Sequence, residues 1–169
     1  MKVKYLDLKP YMGDKGIFPE LDGVKRAESL RSHGNFRFEK NASGDYGMFC
    51  DGQIINVNRY CDKIHIAGFS FWGAHYGNMK LFFRGAESAE TIEAYFSDWF
   101  HPYEHCGQGF ENELEHENNT AKVLLKYKTS YGQYTYIYHK TYSFPTARYL
   151  ETIKLSDNCF VVIQALSVE

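Results

Sequence analysis

Residues Asp51 to Phe83 read DGQIINVNRYCDKIHIAGFSFWGAHYGNMKLFF. Within them Lys63 to Ala67, KIHIA, alternates apolar and polar, with Ile64 and Ile66 on one side and His65 on the other. A period of two marks a strand with one face toward a core. Gln53 to Val57, QIINV, is a short β-branched run, and Asn78 to Phe83, NMKLFF, resumes after a turn. Between them lies GFSFWGAHYG, in which aromatic rings stand among glycines. Continued alternation puts Gly68, Ser70 and Trp72 with the isoleucines, and Phe69 and Phe71 opposite. A bulge at a glycine inverts this order. Large aromatics on both sides suit a strand buried between layers, whereas His75 and Tyr76 fall at the turn and are candidates for exposure.

Outward from this stretch, strand patterns recur. Asn35 to Glu39, Ala121 to Tyr127, Tyr134 to Tyr142, Thr152 to Leu155 and Phe160 to Ser167 are rich in β-formers or alternate. Gly23 to Ser32 can form one or two helical turns, and Ala86 to Ala94 leads into a strand more readily than it forms a helix. Short strands between Gly, Asn, Asp and Pro clusters predict an all-β, antiparallel β-sandwich, jelly-roll-like, with little helix. Ile54, Ile55, Ile64, Ile66, Leu81, Phe82, Trp99, Val161 and Ile163 are its expected core.

The whole chain sets the limits. Its 169 residues suit one domain spanning 1–169, and 44% apolar content with 17% aromatics excludes a disordered chain. A net charge of −2 predicts neither nucleic-acid binding nor a membrane-surface footprint. No apolar run is long enough to span a bilayer, and MKVKYLDLKPYMGDKG has no signal-peptide core, so the expectation is a cytoplasmic chain. Cys50, Cys61, Cys106 and Cys159 are widely spaced without a CxxC pair and read as reduced thiols.

Several pieces together resemble a β-sandwich family. They are YLDLKPYMGDKGI at the start, NFRFEKNASGDYGMFCDGQIINV, RYCDKIHIAGFSFWG, AYFSDWF, and ETIKLSDNCFVVIQALSV at the end. The chain resembles the jelly-roll, galactose-binding-like domains found beside or appended to bacterial glycoside hydrolases. The resemblance implies a carbohydrate ligand or a carbohydrate-processing enzyme as partner. The chain departs from it at Arg84-Gly85, where the family has an Asp-Gly turn, at Ser156, where a proline is frequent, and over His101 to Asn119.

Chemical motifs are few. GxSxG, SxxK, HExxH, GxGxxG and P-loop patterns are all absent. In HPYEHCGQGFENELEHENN, the residues His101, Glu104, His105, Cys106, Glu111 and His116 include zinc-ligand types, but in no four-ligand spacing, so only an adventitious transition-metal site is weighed there. Asp7, Asp14 and Glu169 are calcium candidates if the terminal strands pair. Asp98 in Ser97-Asp98-Trp99 reads first as a turn acceptor with Trp99 covering the core. Its catalytic alternative pairs it with Glu104 or Glu111, because glycosidases need two carboxyls about 5 to 9 Å apart. In Asp51-Gly52-Gln53, Gly52 supplies a turn and Gln53 an amide for backbone groups, while the same Asp and Gln could also face sugar hydroxyls.

A sugar ring needs an aromatic platform and a few polar groups, which Trp72, His75, Tyr76 and Asn78 can supply. The leading expectation is therefore a non-catalytic carbohydrate-associated module that needs no cofactor, binding a glycan or packing against a partner glycosidase. The alternatives are a small carbohydrate-active hydrolase and a structural or self-association domain. For the last, YTYIYHKTY sets Tyr134, Tyr136, Tyr138 and Lys140 on one face and Thr135, Ile137 and His139 on the other. Such a tyrosine face either forms a homodimer or lines the interior with its hydroxyls reaching the edge.

Overall fold

The computed structural model describes residues 2–12, 34–40, 47–71, 73, 75–99, 122–128 and 134–169. The expected helical turn at Gly23 to Ser32 and the stretch His101 to Asn119 lie outside the described residues. The strands are β1 (Lys4–Tyr5), β2 (Met48–Phe49), β3 (Ile54–Ser70), β4 (His75–Phe83), β5 (Glu90–Phe96), β6 (Lys122–Lys128), β7 (Tyr134–Lys154) and β8 (Val161–Val168). The one helical piece among the described residues is a 3-10 turn over Lys9–Tyr11. The fold is all-β, and every strand pairing is antiparallel. Residues 90–96 form β5, as the strand reading of that stretch expects.

The eight strands of the described residues join one sheet with the order β1-β8-β3-β7-β4-β5, with β2 also on β8 and β6 also on β7. Two long strands organise it. β3 and β7 pair from Ile54↔Lys154 to Gly68↔Tyr138, with register shifts between Asn56 and Arg59 and between Cys61 and Lys63. The first shift contains Asn58 at φ 48, a left-handed conformation that asparagine tolerates better than most residues. Such shifts let the strands bend, so their two ends take different neighbours: β4 lies on the late part of β7, and β8 on the late part of β3.

The sheet then closes on itself. Beyond β5, Ser70 N–H donates to Ser97 O, Trp99 N–H to Ser70 O, and Tyr136 N–H to Trp99 O. The bonded path β3–β7–β4–β5 therefore returns to β3. Among the described residues the pairings give one antiparallel sheet, and they supply neither the two separate sheets of a sandwich nor a jelly-roll connectivity.

Side-chain direction follows. Ile64, Ile66 and Gly68 pair with Tyr142, Lys140 and Tyr138, so these six share one face. That face looks at β5: Tyr138 Oη donates to Asp98 O, while Lys140 Nζ and Tyr142 Oη both donate to Glu93 O. Tyr136 and Tyr138 are buried. Tyr136 and Tyr138 thus line the interior, and a homodimer through an open tyrosine face has neither of these side chains available. The opposite face carries His65 and His139, and Phe36 meets both rings edge-on.

Six of the nine expected core residues are fully buried: Ile55, Ile64, Ile66, Leu81, Val161 and Ile163. Each such side chain contributes about 1.5–3 kcal/mol. Trp99 packs against the core while partly buried. Two are corrected. Ile54 is 54% and Phe82 38% exposed. Each adjoins an inward residue, Ile55 or Leu81 and Phe83, and neighbours in a strand cannot share a face.

Candidate functional site

At one end of β3 the chain builds a cleft of about 530 Å³ lined by Phe49, Asp51, Phe71, Cys159 and Phe160. Backbone bonds fix its walls. Phe71 N–H donates to Phe160 O and Cys50 N–H to Val161 O, both at 2.9 Å. Gln53 staples the turn below Phe49: its Nε2 donates to Phe49 O at 2.7 Å, and its Oε1 accepts from Asp51 N–H at 2.8 Å. This is the structural use of Gln53. Asn158 holds the far wall, accepting from Phe160 N–H and donating to Tyr76 O.

Three phenyl rings face the cleft. Phe49 and Phe160 remain 40% and 42% exposed, and Phe49 lies 6.0 Å from Phe71 between ring centroids. Phe71 is backed by Phe69 and Trp99, at 5.2 and 5.6 Å. His75 stacks on Phe160 at 4.8 Å and 16° between planes, and its Nε2 is buried without a hydrogen-bond partner. Asp51 is exposed and is the one residue of the lining with a formal charge. None of the ion pairs among the described residues uses it.

The sequence-predicted ligand set is only partly brought together. His75 shares the inward face of β4 with Gly77 and Met79, against the cleft wall. Tyr76 and Asn78 point outward on the other face, where Tyr76 meets Tyr95 edge-on at 5.0 Å. Trp72 lies outside the described residues. Sequence reading missed Phe49, Phe71 and Phe160 as a group. The local signal was a phenylalanine at a strand end beside an Asp-containing turn, in MFCDG and again in SDNCF.

Asp98 does what the turn reading expects. It is 7% exposed, and its Oδ2 accepts from Gly73 N–H at 2.6 Å. Ser70 Oγ adds a second tie, 2.8 Å from Gly73 O and 2.7 Å from Phe96 O. This clamp explains the opening stretch: GFSFWG turns sharply at Gly73 because a carboxylate and a hydroxyl hold both of that residue's backbone groups. Glu104 and Glu111 lie outside the described residues.

Metal candidates fare similarly. His101, His105, Cys106 and His116 lie outside the described residues, and so does Asp14. Among the described residues no three His, Cys, Asp or Glu side chains cluster as a metal site. Asp7 and Glu169 are engaged separately. Asp7 accepts from Lys9 N–H at 3.0 Å, and hydrogen bonding with Glu39 holds its carboxyl below the usual range. Burial pushes the Glu39 carboxyl up. Glu169 pairs with Lys63 at 3.0 Å.

No helix among the described residues is long and apolar enough to cross a membrane. No protein-family model matches the chain, and no curated protein matches it.

Proposed function

We propose that this protein is a non-catalytic binding domain whose aromatic cleft holds a carbohydrate ring, either on a free glycan or on the substrate of a partner glycosidase. The observation that carries this is the pair of half-exposed phenyl rings, Phe49 and Phe160, set around a cleft with Asp51 at its wall. A pyranose offers an apolar face of C–H groups and a rim of hydroxyls. Rings supply the first contact and a carboxylate accepts from the second. The walls are tied by backbone bonds, so the site is formed before the ligand arrives, which reduces the entropic cost of binding. The hydrolase alternative has no comparable support, because the Asp98 carboxylate is spent on the Gly73 turn. A cytoplasmic location belongs to the same proposal and agrees with the free thiols of Cys50, Cys61 and Cys159.

A glycan array tests the reading. Binding should be lost in Phe160→Ala and weakened in Phe49→Ala, with melting curves near the parent's because both rings are partly exposed. An array flat for the parent protein would refute it.

A further inference from the structure

We infer that the cleft selects a sugar bearing a protonated amine, such as a glucosamine unit, over its neutral or N-acetylated counterparts. The inference rests on the glycan reading above and narrows it. Phe49, Phe71 and Phe160 present three π-systems to one space. The face of an aromatic ring is electron-rich and attracts an organic cation, most strongly when water is partly excluded. Asp51 adds a full negative charge to the same lining, and no lysine or arginine among the described residues neutralises it through an ion pair.

A neutral sugar uses the rings and offers the carboxylate only neutral hydroxyl donors. An ammonium group uses both: it approaches the rings through its polarised N–H and C–H groups and pairs with the carboxylate. The two side-chain amides beside the cleft do not compete for Asp51. Gln53 is occupied by Phe49 O and Asp51 N–H, and Asn158 by Phe160 N–H and Tyr76 O. Cys159 is a free, exposed thiol in the wall, too weak a hydrogen-bonding group to rival the carboxylate. Anionic sugars are disfavoured, because their carboxylate or sulfate would face Asp51 across an apolar cleft.

Calorimetric titration with three oligosaccharides of equal length tests this: glucosamine, N-acetylglucosamine and glucose oligomers, with choline as a sugar-free cation. The glucosamine oligomer should bind about tenfold tighter than the other two at low salt, the size expected from one cation–π contact and one exposed ion pair. The advantage should shrink as salt screens the pair. Asp51→Asn should cut the advantage to the severalfold share left by the cation–π contact, and Phe160→Ala should weaken all three sugars. Equal binding of charged and neutral oligomers, or a tenfold advantage undiminished in Asp51→Asn, overturns the inference and leaves the glycan reading standing. Choline binding that depends on Asp51, with no sugar bound, overturns the glycan reading and retains the cation site. No binding by any of the four overturns both.

Discussion

Gly68→Ala is the sharpest test of the bent sheet. Gly68 sits where the β3–β8 register shifts, between Ala67↔Ala165 and Gly68↔Ile163. A Cβ added there would stand 2.2 Å from Val162 O, 3.2 Å from Val162 C and 3.3 Å from Ile163 Cδ1. The first two atoms are backbone of the adjacent strand, so no rotamer change relieves the clash. The strands must part by roughly 1 Å to reach ordinary contact, which overpacks the layer and weakens the neighbouring ladder bonds. Overpacking costs about 1–3 kcal/mol and each weakened bond about 1 kcal/mol, so the expected loss is about 3 kcal/mol. For a domain of this size that is a fall in Tm of about 6 to 12 °C. Gly85→Ala is the control. It has φ +76 but nothing within 4 Å of the added carbon, so it carries only backbone strain of about 1–2 kcal/mol. Thermal and urea unfolding of the two variants measure the difference. A Gly68→Ala protein as stable as Gly85→Ala would show that β3 and β8 do not approach as described.

Other outcomes follow from the same contacts. Asp98→Ala should lose about 1.5–3 kcal/mol through the orphaned Gly73 N–H, with Asp98→Asn recovering part of it; an unchanged urea midpoint for Asp98→Ala would end the clamp reading. His65 is held below its ordinary value of 6.5 chiefly by burial, with Glu169 acting in the opposite direction. The unfolded chain therefore takes up this proton first, and His65 lowers stability as pH falls from 6.5 toward its folded value. Unfolding free energies across that range should show a slope that flattens in His65→Gln, and identical slopes would count against it. Burial raises the thiol of Cys50 to about 12 and that of Cys61 to about 11. Iodoacetamide at neutral pH should therefore modify exposed Cys159 long before either, and mass spectrometry showing early Cys50 labelling would contradict the buried placement.

Strand existence was legible because it is local. KIHIA, NMKLFF and YTYIYHKTY declare a period of two within a handful of residues, and each became part of a strand. The face-sharing of Phe69 and Phe71 was legible for the same reason, and their rings do meet. Which face is covered was not legible. Tyr136 and Tyr138 alternate identically whether water or β5 lies opposite, and only the return of residues 97–99 to Ser70 decides it. The cleft was hidden for a related reason. Phe49, Phe71 and Phe160 come from three distant segments, and the bonds from Phe71 to Phe160 and from Cys50 to Val161 bring them together. The turn role of Asp98 was readable from Ser-Asp-Trp, but its partner Gly73 was not.

The topology also constrains the order in which the protein can be made. Both lateral neighbours of β3, namely β7 and β8, come from residues 134–168. During synthesis Ile54 to Ser70 emerges long before either neighbour exists. Pairing over such sequence distances is slow even once the whole chain is available. A nascent chain stalled before Tyr134 should be cut readily by protease within residues 54–70, and the released 169-residue chain should resist. Until that point a ribosome-bound chain holds out a β-branched, aromatic segment with both edges open, and a chaperone or a neighbouring nascent chain competes for the same hydrogen bonds that β7 and β8 will later fill.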